Sequence, residues 1–135
     1  MVVNLRSKRL TALFSEVWNN LPKKDRDSIS GRALLVTDNP LFLPDNQKRV
    51  WGAVICVKFR KSIAILYLSP RRLPRQSDSF VRYAIAYRLA HILRGHHEQL
   101  FLSPLSEATE KRFEKEADRQ VKRWGIPKRK PKQAR

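Results

Sequence analysis

Phe80–Leu100, FVRYAIAYRLAHILRGHHEQL, is the stretch on which the reading of this chain turns. From Phe80 to Leu93 the residues are largely apolar, and neither proline nor glycine interrupts them. Ser77 or Ser79 is placed to act as the N-cap, so a helix is expected from about Ser79 to Leu93 or Arg94. Gly95 then ends it, because glycine takes the left-handed conformation after a last helical turn at no steric cost. His91 lies near the end of the apolar run, and Gly95-His96-His97-Glu98 follows. Imidazole and carboxylate groups bind metals and move protons near neutral pH, so chemistry is sought here first.

Working outward, a second helix begins near Ser106 and ends before Gly125 and Pro127. Glu107 and Glu110 in its first turn and Lys122 and Arg123 in its last suit the helix dipole. Phe113, Ala117, Val121 and Trp124 form its inward stripe. Upstream, Leu5–Asn20 carries Leu10, Leu13, Phe14, Val17 and Trp18 at helical spacing and is closed by Pro22. Pro22–Arg32 reads as a polar connector, Ala33–Thr37 as a short strand closed by the Asp38-Asn39-Pro40 turn, and Leu41–Arg49 as a loop. Val50–Phe59 and Ser62–Leu68 are β-rich runs split by Arg60-Lys61, which predicts a hairpin. Pro70–Ser79 is a basic loop. The expected fold is α+β: an N-terminal helix, a small sheet with a hairpin, and two further helices. At 135 residues the chain is one domain with a modest core. Residues 1–126 form it, and 127–135 are a basic tail.

Taken together, the two later helices resemble the paired helices of a zinc protease. Tyr87-Arg88-Leu89-Ala90-His91 aligns with the H-E-x-x-H of zincin metallopeptidases, in which two histidines one turn apart hold Zn²⁺ and the Glu is the general base. Glu114-Lys115-Glu116-Ala117-Asp118 looks like the E-x-x-x-D helix that gives minimal gluzincins their third ligand. The resemblance covers residues 51–126 and implies a minimal zincin-like fold, whose sheet packs on the active-site helix and whose edge strand borders the substrate cleft. It also implies that His91 is the retained ligand, that Glu114 is the third ligand with Glu116 as fallback, and that Asp118 orients a ligand through a hydrogen bond. Each has a plainer alternative: His91 as a hydrogen-bonded helix histidine, the acids as solvated helix carboxylates.

The reactive positions of that motif are replaced. Tyr87 stands for the first histidine, and a phenol that titrates near ~10 is a poor zinc ligand at neutral pH. Arg88 stands for the general base, and a guanidinium neither accepts a proton from water nor tolerates a nearby Zn²⁺. His91 and Glu114 fall short of the three protein ligands that catalytic zinc needs. No catalytic residue and no cofactor is therefore expected; zinc enters only if a site is rebuilt from His91 with Glu114 or with His96, His97 or Glu98. Arg88 is expected to reach Glu114, Glu116 or Asp118 and replace the lost cation with a planar ion pair.

Charge sets the partner class. Twenty-nine Lys and Arg against twelve Asp and Glu leave a net +17, a field that attracts polyanions and is screened by salt. The distribution is uneven: Lys58–Arg94 has nine basic residues and one acid, and Arg119–Arg135 has eight and none. Candidate nucleic-acid contacts are Arg71, Arg72 and Arg75 before the helix, Lys122 and Arg123 at the end of the last one, and Lys128, Arg129, Lys130, Lys132 and Arg135 in the tail. That tail is expected to stay unordered unless bound; its plainer roles are solubility or localisation. Trp51, Tyr67, Phe101 and Trp124 stack on bases if exposed and belong to the core if not. No apolar run approaches the ~20 residues of a membrane span. The first ten residues lack the apolar segment of a secretory signal. The lone Cys56 reads as a small buried hydrophobe, and one cysteine suits a reducing cytoplasm or a nucleoid-associated location.

Three functions follow. The leading expectation is a catalytically inactive zincin-like protein that binds DNA or RNA, or serves in a nucleoprotein assembly. The alternatives are a pseudoprotease regulator holding a protein or peptide in the old cleft, and a zinc metallopeptidase with a rebuilt site.

Overall fold

The computed structural model describes residues 1–32, 34–39, 51–58, 62–96 and 106–132. In chain order they form β1 (Val2–Asn4), α1 (Lys8–Asn20), α2 (Lys23–Ser30), β2 (Leu35–Thr37), β3 (Gly52–Lys58), β4 (Ser62–Leu68), a 3-10 turn (Leu73–Arg75), α3 (Asp78–Leu93) and α4 (Glu107–Arg123). The architecture is α+β, as the sequence implies. Three helices start at a serine whose hydroxyl accepts a backbone N–H of the first turn: Ser7 from Leu10, Ser77 from Phe80 and Ser106 from Thr109. Gly95 ends α3 with φ of 72°, a conformation strained for any residue with a Cβ. Arg32 donates to the Leu93 carbonyl at 3.5 Å beside it.

Two elements differ from expectation. Pro22–Arg32 is no connector, because Lys23–Ser30 is helical behind Pro22, with Ile29 wholly buried. The strand Val2–Asn4 forms by parallel pairing with β2, Val2 opposite Leu35 and Asn4 opposite Thr37. The sheet runs β1-β2-β4-β3, with the first three strands parallel and β3 antiparallel to β4 at the edge. β3 and β4 are the expected hairpin, with Gly52 opposite Leu68 and Lys58 opposite Ser62. Its turn, residues 40–50, His97, Glu98, Phe101 and Arg135 lie outside the described residues, as does the side chain of Cys56.

α3 is the central helix. It packs on β3 and β4 and against α1, α2 and α4. Neighbours on so many sides explain why apolar residues occupy most of its circumference. Ile85, Leu89 and Ile92 are wholly buried, and they meet Phe14 of α1, Leu66 of β4 and Val121 of α4 in one core. Among the described residues no helix is long and apolar enough to cross a membrane.

Candidate functional site

Phe80, Tyr83 and Tyr87 lie three and four residues apart, which puts them on one face of α3. That face turns toward the start of the edge strand, where Trp51 meets Phe80 edge-on with ring centroids 5.4 Å apart. Gly52 permits the close approach. A Cβ there would lie 2.8 Å from the Tyr67 carbonyl oxygen and 3.8 Å from Cγ of Arg88. These aromatic rings, Arg88 and the tail residues Lys128–Pro131 enclose a cleft of about 270 Å³. Arg72 places its guanidinium 5.7 Å from the Trp51 ring centre, within cation–π reach.

The tail is not loose as far as Lys132. Gln76 is 7% exposed, and a buried side-chain amide needs both a donor and an acceptor. Lys132 supplies both: its N–H donates to Gln76 Oε1 at 2.6 Å, and its carbonyl accepts from Gln76 Nε2 at 3.2 Å. Lys128 Nζ donates to Asp118 Oδ2 at 3.2 Å. Two tethers therefore lay residues 128–132 along the cleft, correcting for these residues the expectation of an unordered tail.

Deeper than the cleft, His91 and His96 face each other with their Nδ1 atoms 2.8 Å apart, and His96 Nε2 lies 2.7 Å from Glu116 Oε2. His96 is 2% exposed and stacks on Phe113 at 3.9 Å between ring centres. A carboxylate only accepts, so His96 carries its proton on Nε2 and offers a bare Nδ1 to the N–H of His91. The remaining nitrogen of His91, Nε2, is left without a proton. Burial pushes His91 down to about 3, with the positive charge of Arg88 adding to the fall. Burial also lowers His96 against the opposing pull of Glu116, while the bond from His96 holds Glu116 below its ordinary range. Both directions describe a neutral imidazole donating to an anion.

The described donors are committed elsewhere. Burial pushes the Tyr87 phenol up to about 12, so it stays protonated, and the Nδ1 atoms of His91 and His96 are engaged with each other. Among the described residues no three His, Cys, Asp or Glu converge on a point that would hold a metal ion. Arg88 does not form the expected ion pair either. Its stem leaves α3 beside Gly52, and its guanidinium lies 5.4 Å from the Tyr87 ring centre. The acids have other partners: Asp118 accepts from Tyr83 Oη at 2.7 Å and from Lys128, and Glu116 accepts from His96. Glu114 is exposed on α4.

No protein-family model, curated protein or solved structure matches this chain. Function is therefore argued from geometry. Of the basic residues singled out in the sequence, Arg129 and Lys130 line the cleft together with Lys128. Arg71 and Arg75 are exposed around the 3-10 turn, and Lys122 and Arg123 are exposed at the end of α4. Tyr67 is buried and not free to stack on a base, and Trp124 is half-buried with its Nε1 donating to Asp25 at 2.8 Å. Sequence reasoning missed Phe80 and Tyr83, although their spacing with Tyr87 was a readable signal. It also missed Gln76, for which there was none.

Proposed function

We propose that this protein is a zincin-like scaffold without hydrolytic chemistry that binds nucleic acid, alone or within a nucleoprotein assembly. One observation carries the reading. In a chain of net charge +17, the cleft beside the edge strand combines aromatic faces with tail cations that have no acidic partner among the described residues, Arg129 and Lys130. Aromatic rings contribute stacking and cations contribute phosphate contacts, the two elements of sequence-tolerant nucleic-acid binding. The replacement of ligand and base by Tyr87 and Arg88 supports the absence of peptidase chemistry. The test is metal content and co-purifying nucleic acid, measured on the same preparation. The expected result is sub-stoichiometric zinc, no chelator-sensitive proteolysis, and DNA or RNA released by salt; stoichiometric zinc with chelator-sensitive proteolysis overturns the reading.

The pairing of Gln76 with the backbone of Lys132 favours a second reading, a pseudoprotease cleft that takes an extended protein segment. Binding through such backbone contacts is largely insensitive to salt, which separates it from phosphate binding.

A further inference from the structure

We infer that the cleft between α3 and the tail takes an unpaired base of a single-stranded nucleic acid, with the strand passing beneath the tail. The inference rests on the nucleic-acid reading and narrows it to one ligand class.

Arg88 gives the first reason. It is a half-buried cation in the cleft wall and forms neither a hydrogen bond nor an ion pair with any described residue; its guanidinium has the Tyr87 ring for company. A guanidinium at a cleft wall without a protein acceptor has its donors available to a ligand, and its planar fork matches a phosphate or the acceptor edge of a base. An anionic strand entering the cleft supplies the acceptors that the protein withholds.

The tail gives the second. It lines the cleft without filling it: with Lys132 latched to Gln76, about 270 Å³ remains open. That is just under the ~300 Å³ at which small-molecule pockets begin, a space suited to one base rather than to a folded domain. Trp51, Tyr83 and Tyr87 present aromatic walls to it, and every base has a face to stack on them. A paired base keeps its faces inside the duplex, so the walls select unpaired strands. Lys128 is committed to Asp118. Arg129 and Lys130 remain exposed at the rim, where the phosphates on either side of an inserted base would run.

The test uses the full chain and three probes of one length: oligothymidylate, the same backbone with abasic residues, and the oligothymidylate–oligoadenylate duplex. Intact single strand is expected to bind roughly tenfold or more tightly than the abasic strand, the scale of one stacked base, and to quench tryptophan fluorescence. Duplex should bind no better than the abasic strand. Arg88→Met should remove most of the preference for the intact strand, and Gln76→Leu, which unlatches the tail, should weaken single-strand binding more than duplex binding. Equal affinity for intact and abasic strands overturns the inference and leaves nucleic-acid binding itself standing as a surface-charge effect. Tighter single-strand binding by Gln76→Leu identifies the tail as a plug and overturns the strap. Binding of none of the three probes overturns both this inference and the functional reading beneath it.

Discussion

Arg88 forms no ion pair with Glu114, Glu116 or Asp118, and its guanidinium lies beside the Tyr87 ring instead. Asp118 and Glu116 are satisfied by Tyr83, Lys128 and His96, and Glu114 acts on Arg88 only through its charge, without an ion pair. In a double-mutant cycle, Arg88→Met and Glu114→Gln should couple by less than ~0.5 kcal/mol. Arg88→Met alone should be neutral or stabilising, since it removes a half-buried charge without an acceptor. Thermal or urea unfolding of the four species measures this, and coupling well above that limit would restore the ion pair. The His91–His96–Glu116 chain makes a separate statement about pH. His91 titrates at about 3 when folded against 6.5 as an ordinary imidazole, so between those values the unfolded chain binds a proton that the folded chain refuses. Stability should therefore be full above pH 6.5 and fall as pH drops toward 3, at up to ~1.4 kcal/mol per pH unit for this group. Glu116, held low by His96, adds loss in the same direction at the acid end. In urea titrations across this range, His91→Phe should flatten the slope; an unchanged slope would remove His91 as its source.

At the scale of elements, the sequence was legible wherever period and caps agreed. Ser77 and Gly95 bracket α3, Ser106 and Gly125 bracket α4, and the hairpin strands fall almost where the β-rich runs lie. α2 was illegible because KKDRDSIS has one apolar residue, Ile29, and no period can be read from one point. Its helix is fixed from outside, by burial of Ile29 and by the bond from Trp124 Nε1 to Asp25. β1 has three residues, and its evidence is a partner strand more than thirty positions away. The cleft was half legible: Tyr87 and Arg88 stood out in the sequence, but Gln76 and the course of the tail depend on tertiary contact. Trp124→Phe tests the outside support of α2. It should cost about 1 kcal/mol, the net worth of one hydrogen bond, and should speed amide exchange in Lys23–Ser30 more than in α3. Uniform change across both helices would show that α2 holds itself.

Across the whole molecule, charge is unevenly spread. The acids gather on α4, where several are paired within the protein, and exposed cations include Arg71 and Arg75 around the 3-10 turn, Lys122 and Arg123 at the end of α4, and Arg129 and Lys130 in the tail. Under the nucleic-acid reading proposed above, these cations hold phosphates. The most direct measurement is the affinity of the full chain for a labelled single strand as salt is raised. Each phosphate contact contributes about −0.7 to the log–log slope on a single strand. Contacts from Arg71, Arg75, Arg129 and Lys130 together predict a slope near −3, falling by more than one unit when residues 128–135 are removed. A slope near zero, or one indifferent to loss of the tail, would contradict the account.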